Sequence, residues 1–325
     1  MAKEPVVIAL DLGGTNMRWA LVTRQGKLLD RWEHLTGITQ EQEIFLSSLA
    51  ADLKACGQKA QELGAEVQGV GLGIPGRILP AEGVVVFSPN IPALNACPLV
   101  PTLKPQLPWP LSLENDANLF ALGEHWLGAG AGFSEMLGIT LGTGVGGGLI
   151  LNGRIWSGTA GTSGEVGHTT IEPEGKKCHC GNRGCLETVA SGVWAVEWVK
   201  EQLAQGASSW LQELWRTDPD ALVGETLVVA AGQNDPLALR AFERVGRGLG
   251  QAIANVVHLL GLNRVVIGGR FARAWELFAT AMEEELYRRL TLFPPAAVSI
   301  VPAKLGDDAG LLGAARLAWD KLGEG

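Results

Sequence analysis

Two segments of the chain share one hydrophobic pattern. Residues 6–22 and 135–151 each consist of an apolar strand, a short turn of glycine and threonine, and a second apolar strand. Two apolar strands joined by a short glycine-rich turn predict a β-hairpin. Because the same unit occurs twice, the pattern predicts a duplicated α/β architecture, with two domains that face each other across a cleft.

Strand-to-helix patterns occupy other parts of the chain. Residues 110–128 give a short alternating strand, then Asn115 and Asp116, then an apolar pattern of helical period. Residues 265–275 follow a long helix rich in alanine and glycine, and a last helix is expected from about residue 308. Six prolines between residues 92 and 110 predict a loop rather than a helix.

Composition narrows the class of protein. With 325 residues, of which 46% are hydrophobic, the chain can bury the cores of two domains, as expected of a globular enzyme. A formal charge of −8 and the lack of long Lys/Arg runs argue against a nucleic-acid partner. No signal-like apolar run precedes Asp11, so we expect a cytoplasmic protein. The uncharged residues 136–153 include seven glycines, which argues against a membrane span.

Three of the five cysteines lie close together. Cys178, Cys180 and Cys185 form a C-x-C-x4-C pattern, and His168 precedes it. An odd number of cysteines in a long chain argues against a disulfide framework. Three thiolates and one imidazole form a closed tetrahedral zinc set with no position for water, so such a metal would be structural. His179 is an alternative fourth ligand. The alternative to a zinc site is a turn whose cysteines are reduced and bind no metal.

Both hairpin turns carry residues suited to phosphate. Glycine lets the backbone approach a ligand and expose its N–H groups, and threonine adds a hydroxyl donor. Neither turn has the context of a P-loop or a Rossmann fingerprint. Two such turns on opposed domains predict a bound nucleotide, although a glycine-rich hairpin can also be a simple turn. The candidates are Asp11, Gly13, Gly14 and Thr15 at the first turn and Gly142, Thr143, Gly144 and residues 146–148 at the second.

Asn115 and Asp116 stand where a predicted strand ends and a helix begins. Asn or Asp at this position is an ordinary helix N-cap. An acidic side chain at a strand end facing a phosphate cleft is also placed to act as a general base. The residues alone leave both interpretations open.

The sequence resembles the ROK family (repressors, open reading frames and kinases) of the actin-like ATPase superfamily, and it is most similar to the bacterial glucokinases of that family. The resemblance runs nearly from end to end and is carried by the motifs DLGGTNMR, GIPG, SPN, LENDAN, LGTGVGGG, EVGH, CHCGNRGCLE and LGDDAGLLGAA. It implies an actin-like (RNase H-like) fold. The small domain would span residues 1–112, the large domain with the cysteine loop residues 113–307, and a C-terminal helix over 308–325 would pack back on the small domain.

The resemblance also implies roles for individual residues. Zinc would be held by His168, Cys178, Cys180 and Cys185, and the metal would shape the sugar pocket. Sugar contacts would come from Asn90, Asn115, Asp116, Glu165, His168 and Glu187, with residues 73–76 nearby. Asp116 would be the general base and Asp11 would help to hold Mg²⁺. The phosphates would be bound by Gly13, Gly14, Thr15, Thr143 and Gly144.

Residues 265–275 resemble the adenosine loop of the family. Gly268 and Gly269 would contact the nucleotide, but Arg270 stands where the family usually has a third glycine. A simple strand-to-helix turn is the alternative for this segment.

The implied function is an ATP-dependent hexose kinase that uses ATP and Mg²⁺, contains structural Zn²⁺ and forms a homodimer. Glucose is the expected acceptor; mannose, fructose, allose and N-acetylmannosamine are alternative acceptors, and polyphosphate is an alternative donor. A sugar-responsive ROK regulator that lacks its DNA-binding domain is a further alternative; regulators of this family carry that domain at the N-terminus, whereas only ten residues precede Asp11. A sugar-binding protein with a dead catalytic site is opposed by the presence of Asp116 and both turns.

Overall fold

The computed structural model describes residues 3–37, 41–294 and 297–323. Its N-terminal part contains the strands β1 (Glu4–Leu12), β2 (Asn16–Thr23), β3 (Leu28–Leu35), β4 (Ala65–Ile74), β5 (Arg77–Leu79), β6 (Val84–Phe87) and β7 (Leu111–Asn115). Five of them form a sheet in the order β3-β2-β1-β4-β7, while β5 and β6 pair separately. Strand β1 is antiparallel to β2 and parallel to β4.

A second sheet repeats this arrangement. It contains β8 (Met136–Leu141), β9 (Val145–Leu151), β10 (Arg154–Ile155), β11 (Arg264–Gly268) and β12 (Ser299–Pro302), in the order β10-β9-β8-β11-β12. Counted along the chain within each sheet, both orders are 3-2-1-4-5. The parallel pairing of β1 with β4 recurs between β8 and β11. Both predicted hairpins and the predicted duplication are confirmed.

The helices are α1 (Gln42–Glu62), α2 (Leu99–Leu103), α3 (Asp116–Leu127), α4 (Glu187–Ala190), α5 (Gly192–Ala204), α6 (Leu211–Thr217), α7 (Gly224–Gly232), α8 (Pro236–Leu260), α9 (Trp275–Arg289) and α10 (Ala309–Gly323). Within the described ranges, no helix combines the length and the apolar character that a membrane span requires.

Helix α2 corrects the prediction that residues 92–110 form only a loop. Pro101 is its third residue, and Pro98 comes immediately before its first residue. Proline is tolerated in the first turn of a helix because the N–H groups there have no partner within the helix. Short 3-10 turns at Pro92–Leu94 and Lys104–Gln106 accommodate other prolines of the segment.

The chain divides into two compact units. The first comprises Met1–Ser134, Gly148–Gly164 and Lys304–Gly325, and the second comprises Glu135–Gly147 and Glu165–Ala303. The domain ranges 1–112 and 113–307 stay a prediction. Helix α10 belongs to the first unit, where it packs on α3, β1 and β4.

Glycines set the distance between α10 and its neighbours. A Cβ on Gly71 of β4 would lie 1.9 Å from the Ala314 carbonyl oxygen, and one on Gly313 would lie 1.8 Å from the Leu119 carbonyl oxygen. Two atoms without a covalent bond cannot approach so closely, so the backbones meet only because these positions lack side chains. This packing fixes α3, and with it Asp116, against the first sheet.

Candidate active site

The β1–β2 turn carries the first group of predicted phosphate contacts. The Thr36 hydroxyl donates to the Gly13 carbonyl at 2.7 Å, and the Thr36 N–H donates to the Thr15 carbonyl at 2.9 Å. A Cβ on Gly14 would lie 3.0 Å from the Cβ of Asn90, which is exposed. The structure therefore brings the predicted sugar contact Asn90 next to this turn.

Asp11 is the second-last residue of β1, two residues before Gly13 of the turn. Its Oδ2 is 3.9 Å from Nη1 of Arg18, and a Cβ on Gly310 would lie 3.0 Å from the same oxygen. Burial raises the pKa of Asp11, while the charge of Arg18 acts in the opposite direction. The carboxylate thus sits against the first turn of α10 and offers the hard oxygen donors that Mg²⁺ prefers.

Asn115 and Asp116 join β7 to α3. The Asn115 side-chain oxygen accepts the N–H groups of Ala117 (2.9 Å) and Asn118 (3.1 Å), so Asn115 is the N-cap. Its Nδ2 donates to the Gly76 carbonyl at 3.0 Å. Asp116 is the first residue of the helix, and its Oδ1 accepts the Ala117 N–H at 2.9 Å. The capping role left open by the sequence belongs to Asn115.

The predicted sugar loop at residues 73–76 is held next to this cap. Gly76 has φ +115°, and a Cβ there would lie 2.2 Å from the Phe87 carbonyl oxygen. Only glycine fits this backbone conformation and this spacing. The Gly76 carbonyl is thereby fixed where Asn115 can bond to it, which places the predicted sugar contacts Asn115 and Asp116 beside this loop.

The cysteine loop forms a compact cluster in the second unit. One ligand atom from each of His168, Cys178, Cys180 and Cys185 lies within 4.8 Å of all the others. The distances from Cys180 Sγ to Cys185 Sγ and from Cys178 Sγ to His168 Nδ1 are both 3.7 Å. Zinc–sulfur bonds of about 2.3 Å place tetrahedral ligand atoms about 3.8 Å apart. The four side chains therefore fit a zinc ion, and His179 lies outside the cluster.

Glu187 connects this cluster to the second glycine-rich turn. Its Oε2 accepts the Val145 N–H at 3.0 Å, and its Oε1 lies 3.7 Å from Cys178 Sγ. A Cβ on Gly144 would lie 2.4 Å from Oε2. The turn between β8 and β9 thus depends on a glycine next to the carboxylate, and Thr143 is exposed at its tip.

Glu165 directly precedes a 3-10 turn, Val166–His168, that packs against the start of β9. A Cβ on Gly167 would lie 2.0 Å from the Val145 carbonyl oxygen, so the turn approaches β9 closely. Burial raises the pKa of Glu165; the His168 charge lowers it and the Glu187 charge raises it further. The second unit therefore brings together three of the predicted sugar contacts with the second phosphate turn.

A cavity of about 1060 Å³ opens beside this turn within the second unit. Its walls come from the turn, α5, α7 and the segment after β11, and include Thr143, Val193, Val196, Lys200, Val228, Arg270 and Phe271. Gly268 ends β11, and Gly269 (φ +92°) lies so close to β8 that a Cβ would be 2.4 Å from the Leu141 carbonyl oxygen. The cavity wall begins with the next two residues, Arg270 and Phe271.

Sequence reasoning gave no functional role to the α5 and α7 walls. Val193, Val196 and Lys200 have the spacing i, i+3 and i+7, which places them on one face of α5. The same spacing describes an ordinary amphipathic helix, so the pattern could not identify a cavity. Trp194 and Trp198 are both half-buried on this helix.

The fold and this site define the class of the protein. A sequence model of the ROK family matches residues 7–321, and the chain belongs to the ROK family. The duplicated 3-2-1-4-5 sheets are those of the actin-like ATPase fold expected for it.

Individual relatives have names that are more specific than the family. A glucokinase from Thermotoga maritima is 35% identical over 317 residues, covering 98% of this chain and 98% of the relative. A ROK hexokinase from Thermus thermophilus has a crystal structure with a TM-score of 0.82 and 32% identity, covering 98% of this chain and 100% of that one. A ROK glucokinase from Streptomyces griseus, solved with glucose and AMPPNP, has a TM-score of 0.78 and 31% identity, covering 97% and 99%.

Proposed function

We propose that this protein is an ATP-dependent hexose kinase that converts glucose to glucose 6-phosphate. The observation that carries the proposal is the junction of β7 and α3, where Asn115 caps the helix and Asp116 is the next residue. Because the cap is supplied by Asn115, the carboxylate of Asp116 is not required for capping. The similarity to glucokinases and to a ROK hexokinase over nearly the whole chain supports the same function.

In the proposed reaction, the Asp116 carboxylate takes the proton of the attacking sugar hydroxyl. The hydroxyl oxygen forms a bond to the γ-phosphorus while the bond to the β,γ-bridging oxygen breaks, and ADP leaves with that electron pair. Asn90, Asn115, Glu165, His168 and Glu187 would orient the sugar through its hydroxyl groups.

The phosphates would be bound by the backbone N–H groups of both turns, with Gly13, Gly14 and Thr15 in the first unit and Thr143 and Gly144 in the second. Mg²⁺, when bound, would neutralise charge that develops on the transferring phosphoryl group, and Asp11 has the oxygen donors to help hold it.

ATP is the proposed donor in preference to polyphosphate. A polyphosphate chain needs phosphate contacts alone, whereas a nucleotide also needs room for its base and ribose. The cavity beside Thr143 supplies such room, with Val193, Val196 and Phe271 as apolar walls and Arg270 at the start of the segment after β11.

We propose that the cluster of His168, Cys178, Cys180 and Cys185 holds one structural zinc ion per chain. If His168 uses Nδ1 for the metal, its Nε2 stays available for a sugar hydroxyl. Purified protein should contain about one equivalent of zinc, and Cys180→Ser should lose both the metal and much of the sugar affinity. Cys56→Ser is the control because Cys56 is a buried cysteine of the first unit that does not belong to the cluster. A zinc-free protein with full activity would contradict this proposal.

The acceptor is tested by following ADP release with glucose, mannose, fructose, allose and N-acetylmannosamine. The proposed function predicts the highest kcat/KM for glucose with ATP, and no formation of glucose 6-phosphate when polyphosphate replaces ATP. A higher kcat/KM for another hexose would identify that hexose as the acceptor. If none of the five sugars supports ADP release, the kinase proposal is refuted.

We further propose a cytoplasmic homodimer. The supply of ATP in the cytoplasm and the resemblance to the family support this proposal, and sedimentation analysis tests the dimer.

A further inference from the structure

We propose that Glu114 is a positioning residue for phosphoryl transfer, which holds the backbone of Asn115 and Asp116 in the geometry that the reaction needs. The inference rests on the proposed function. Glu114 lies in β7, directly before Asn115, and only 2% of its surface is exposed. Burying a carboxylate is unfavourable unless its oxygens are hydrogen-bonded, so its contacts indicate what it does.

Glu114 makes three hydrogen bonds to three different segments. Its Oε1 accepts the Asn115 N–H at 2.8 Å and the Asn118 Nδ2–H at 3.0 Å, and its Oε2 accepts the Ser157 hydroxyl at 2.5 Å. Asn118 lies in the first turn of α3, and Ser157 lies in the loop that follows β10. One buried carboxylate therefore ties the end of β7, the start of α3 and this loop together.

The side chain of Asn118 supports the same reading. It is 2% exposed, and within the described ranges its Oδ1 has no hydrogen-bond partner. Turning the amide around would place Oδ1 against the Glu114 carboxylate, where two acceptors would repel each other. The bond to Glu114 therefore sets the orientation of the Asn118 amide.

The bonds of Glu114 act on the site through Asn115. The Asn115 N–H is fixed by Glu114 and the Asn115 side chain caps α3, so any movement of this peptide also moves Asp116, the next residue. Displacing a reacting group by about 1 Å can cost about 10²-fold in rate. An apolar residue would fill the same space without the cost of burying a charge, but it could not hold the peptide.

The test compares Glu114→Leu with Glu114→Gln. Leucine removes all three bonds, so we expect kcat to fall about 10²-fold at saturating glucose and MgATP. Glutamine restores most of the rate, to within about 10-fold of wild type, because its carbonyl can accept from Asn115 and Asn118 while its amide donates to Ser157. Glucose affinity, measured by calorimetry, should change less than kcat in both variants.

Glu124 provides the matched control on the same helix. It is fully buried and accepts the N–H groups of Ala129 (2.7 Å), Lys304 (2.9 Å) and Leu305 (2.7 Å), but it lies near the other end of α3. Glu124→Leu and Glu124→Gln should lower the melting temperature while kcat per folded molecule stays within about 3-fold of wild type. If Glu114 has only a structural role, its variants should also lower the melting temperature and leave kcat per folded molecule nearly unchanged.

Ser157→Ala keeps the test decisive if Glu114→Leu does not fold. It removes one bond from a half-buried loop residue, so we expect normal folding and a fall in kcat of about 2- to 10-fold, the equivalent of one hydrogen bond. Normal kcat in Ser157→Ala and in every folded Glu114 variant would overturn the proposal, as would equal losses at Glu124. A wild-type protein that phosphorylates no hexose would instead refute the proposed function.

Discussion

Replacing Asp116 with asparagine removes the proposed general base and keeps the size and shape of the side chain. Helix α3 keeps its N-cap because Asn115 supplies it, and an asparagine at 116 can still accept the Ala117 N–H that Asp116 accepts at 2.9 Å. The loss of one negative charge from the first turn of the helix costs about 0.3–1 kcal/mol. In chains of about 150–250 residues, a loss of 1 kcal/mol lowers the melting temperature by about 2–4 °C. We therefore expect the melting temperature to fall by no more than about 4 °C.

The effect on turnover should be far larger. Loss of a general base costs about 10²–10⁴-fold in rate, and the amide oxygen can still accept a hydrogen bond from the sugar hydroxyl. The loss should therefore appear in kcat, while the glucose affinity changes little. ADP release at saturating glucose and MgATP measures kcat, calorimetry measures glucose affinity, and thermal unfolding reports on the fold.

Asp235→Asn is the matched control, because Asp235 is the N-cap of α8 and the chemical change is identical. Its turnover should stay near the wild-type value even if its stability falls. Near-normal turnover of Asp116→Asn with an unchanged melting temperature would remove Asp116 from the mechanism and direct the search to Glu165 and Glu187.

Two further predictions concern stability. Gly313→Ala should destabilise the protein by about 1–3 kcal/mol or more in urea unfolding, because its Cβ would lie 1.8 Å from the Leu119 carbonyl oxygen. Hydrogen bonds from Arg288 and, to a smaller extent, from Arg289 lower the pKa of Glu285 to about 2. Because this folded-state pKa lies below the unfolded value of about 4.3, the ion pair stabilises the protein above that value, and the benefit is lost as the pH falls toward 2. Glu285→Gln should thus cost about 1–2 kcal/mol at pH 7, allowing for solvent around Arg288, and the difference from wild type should shrink between pH 4 and 2.

Each stability prediction has a result that contradicts it. Gly232→Ala is the control for the first, since a Cβ on Gly232 of α7 meets no atom within 4 Å; equal stabilities of the two variants would mean that α10 can shift away from α3 at no cost. For the second, a difference between Glu285→Gln and wild type that is the same at pH 7 and pH 3 would assign the effect to packing rather than to charge.

The sequence predicted best the features that are encoded locally. Each hairpin is specified by neighbouring residues, so two apolar strands around a short glycine-rich turn were enough to identify both and to reveal the duplication. The cysteine loop is similar, because Gly181 and Gly184 adopt positive φ values of 94° and 67° and let the chain turn between the ligands. A Cβ on Gly184 would lie 1.5 Å from the Glu172 carbonyl oxygen, so glycine is required there.

Features assembled from distant segments could not be predicted. The cavity beside Thr143 takes walls from α5, α7 and the segment after β11, and no single stretch of sequence signals that these segments converge. The prediction for the proline-rich residues 92–110 was wrong for a different reason. A proline count cannot distinguish a loop from a short helix whose proline falls in the first turn. Glu114 was visible in the motif LENDAN, but its three bonds depend on tertiary structure.

Glu187 shows why a division into phosphate residues and sugar residues is incomplete for this protein. The resemblance assigns Gly144 to phosphate and Glu187 to sugar, yet Gly144 has no room for a side chain because Glu187 Oε2 would lie 2.4 Å from its Cβ. The same oxygen accepts the Val145 N–H at 3.0 Å, which fixes the residue that follows the turn. Any side chain at 144 would displace Glu187, which also lies next to Cys178 of the cysteine cluster. We therefore predict that a substitution at 144 weakens the proposed phosphate binding and the proposed sugar binding together.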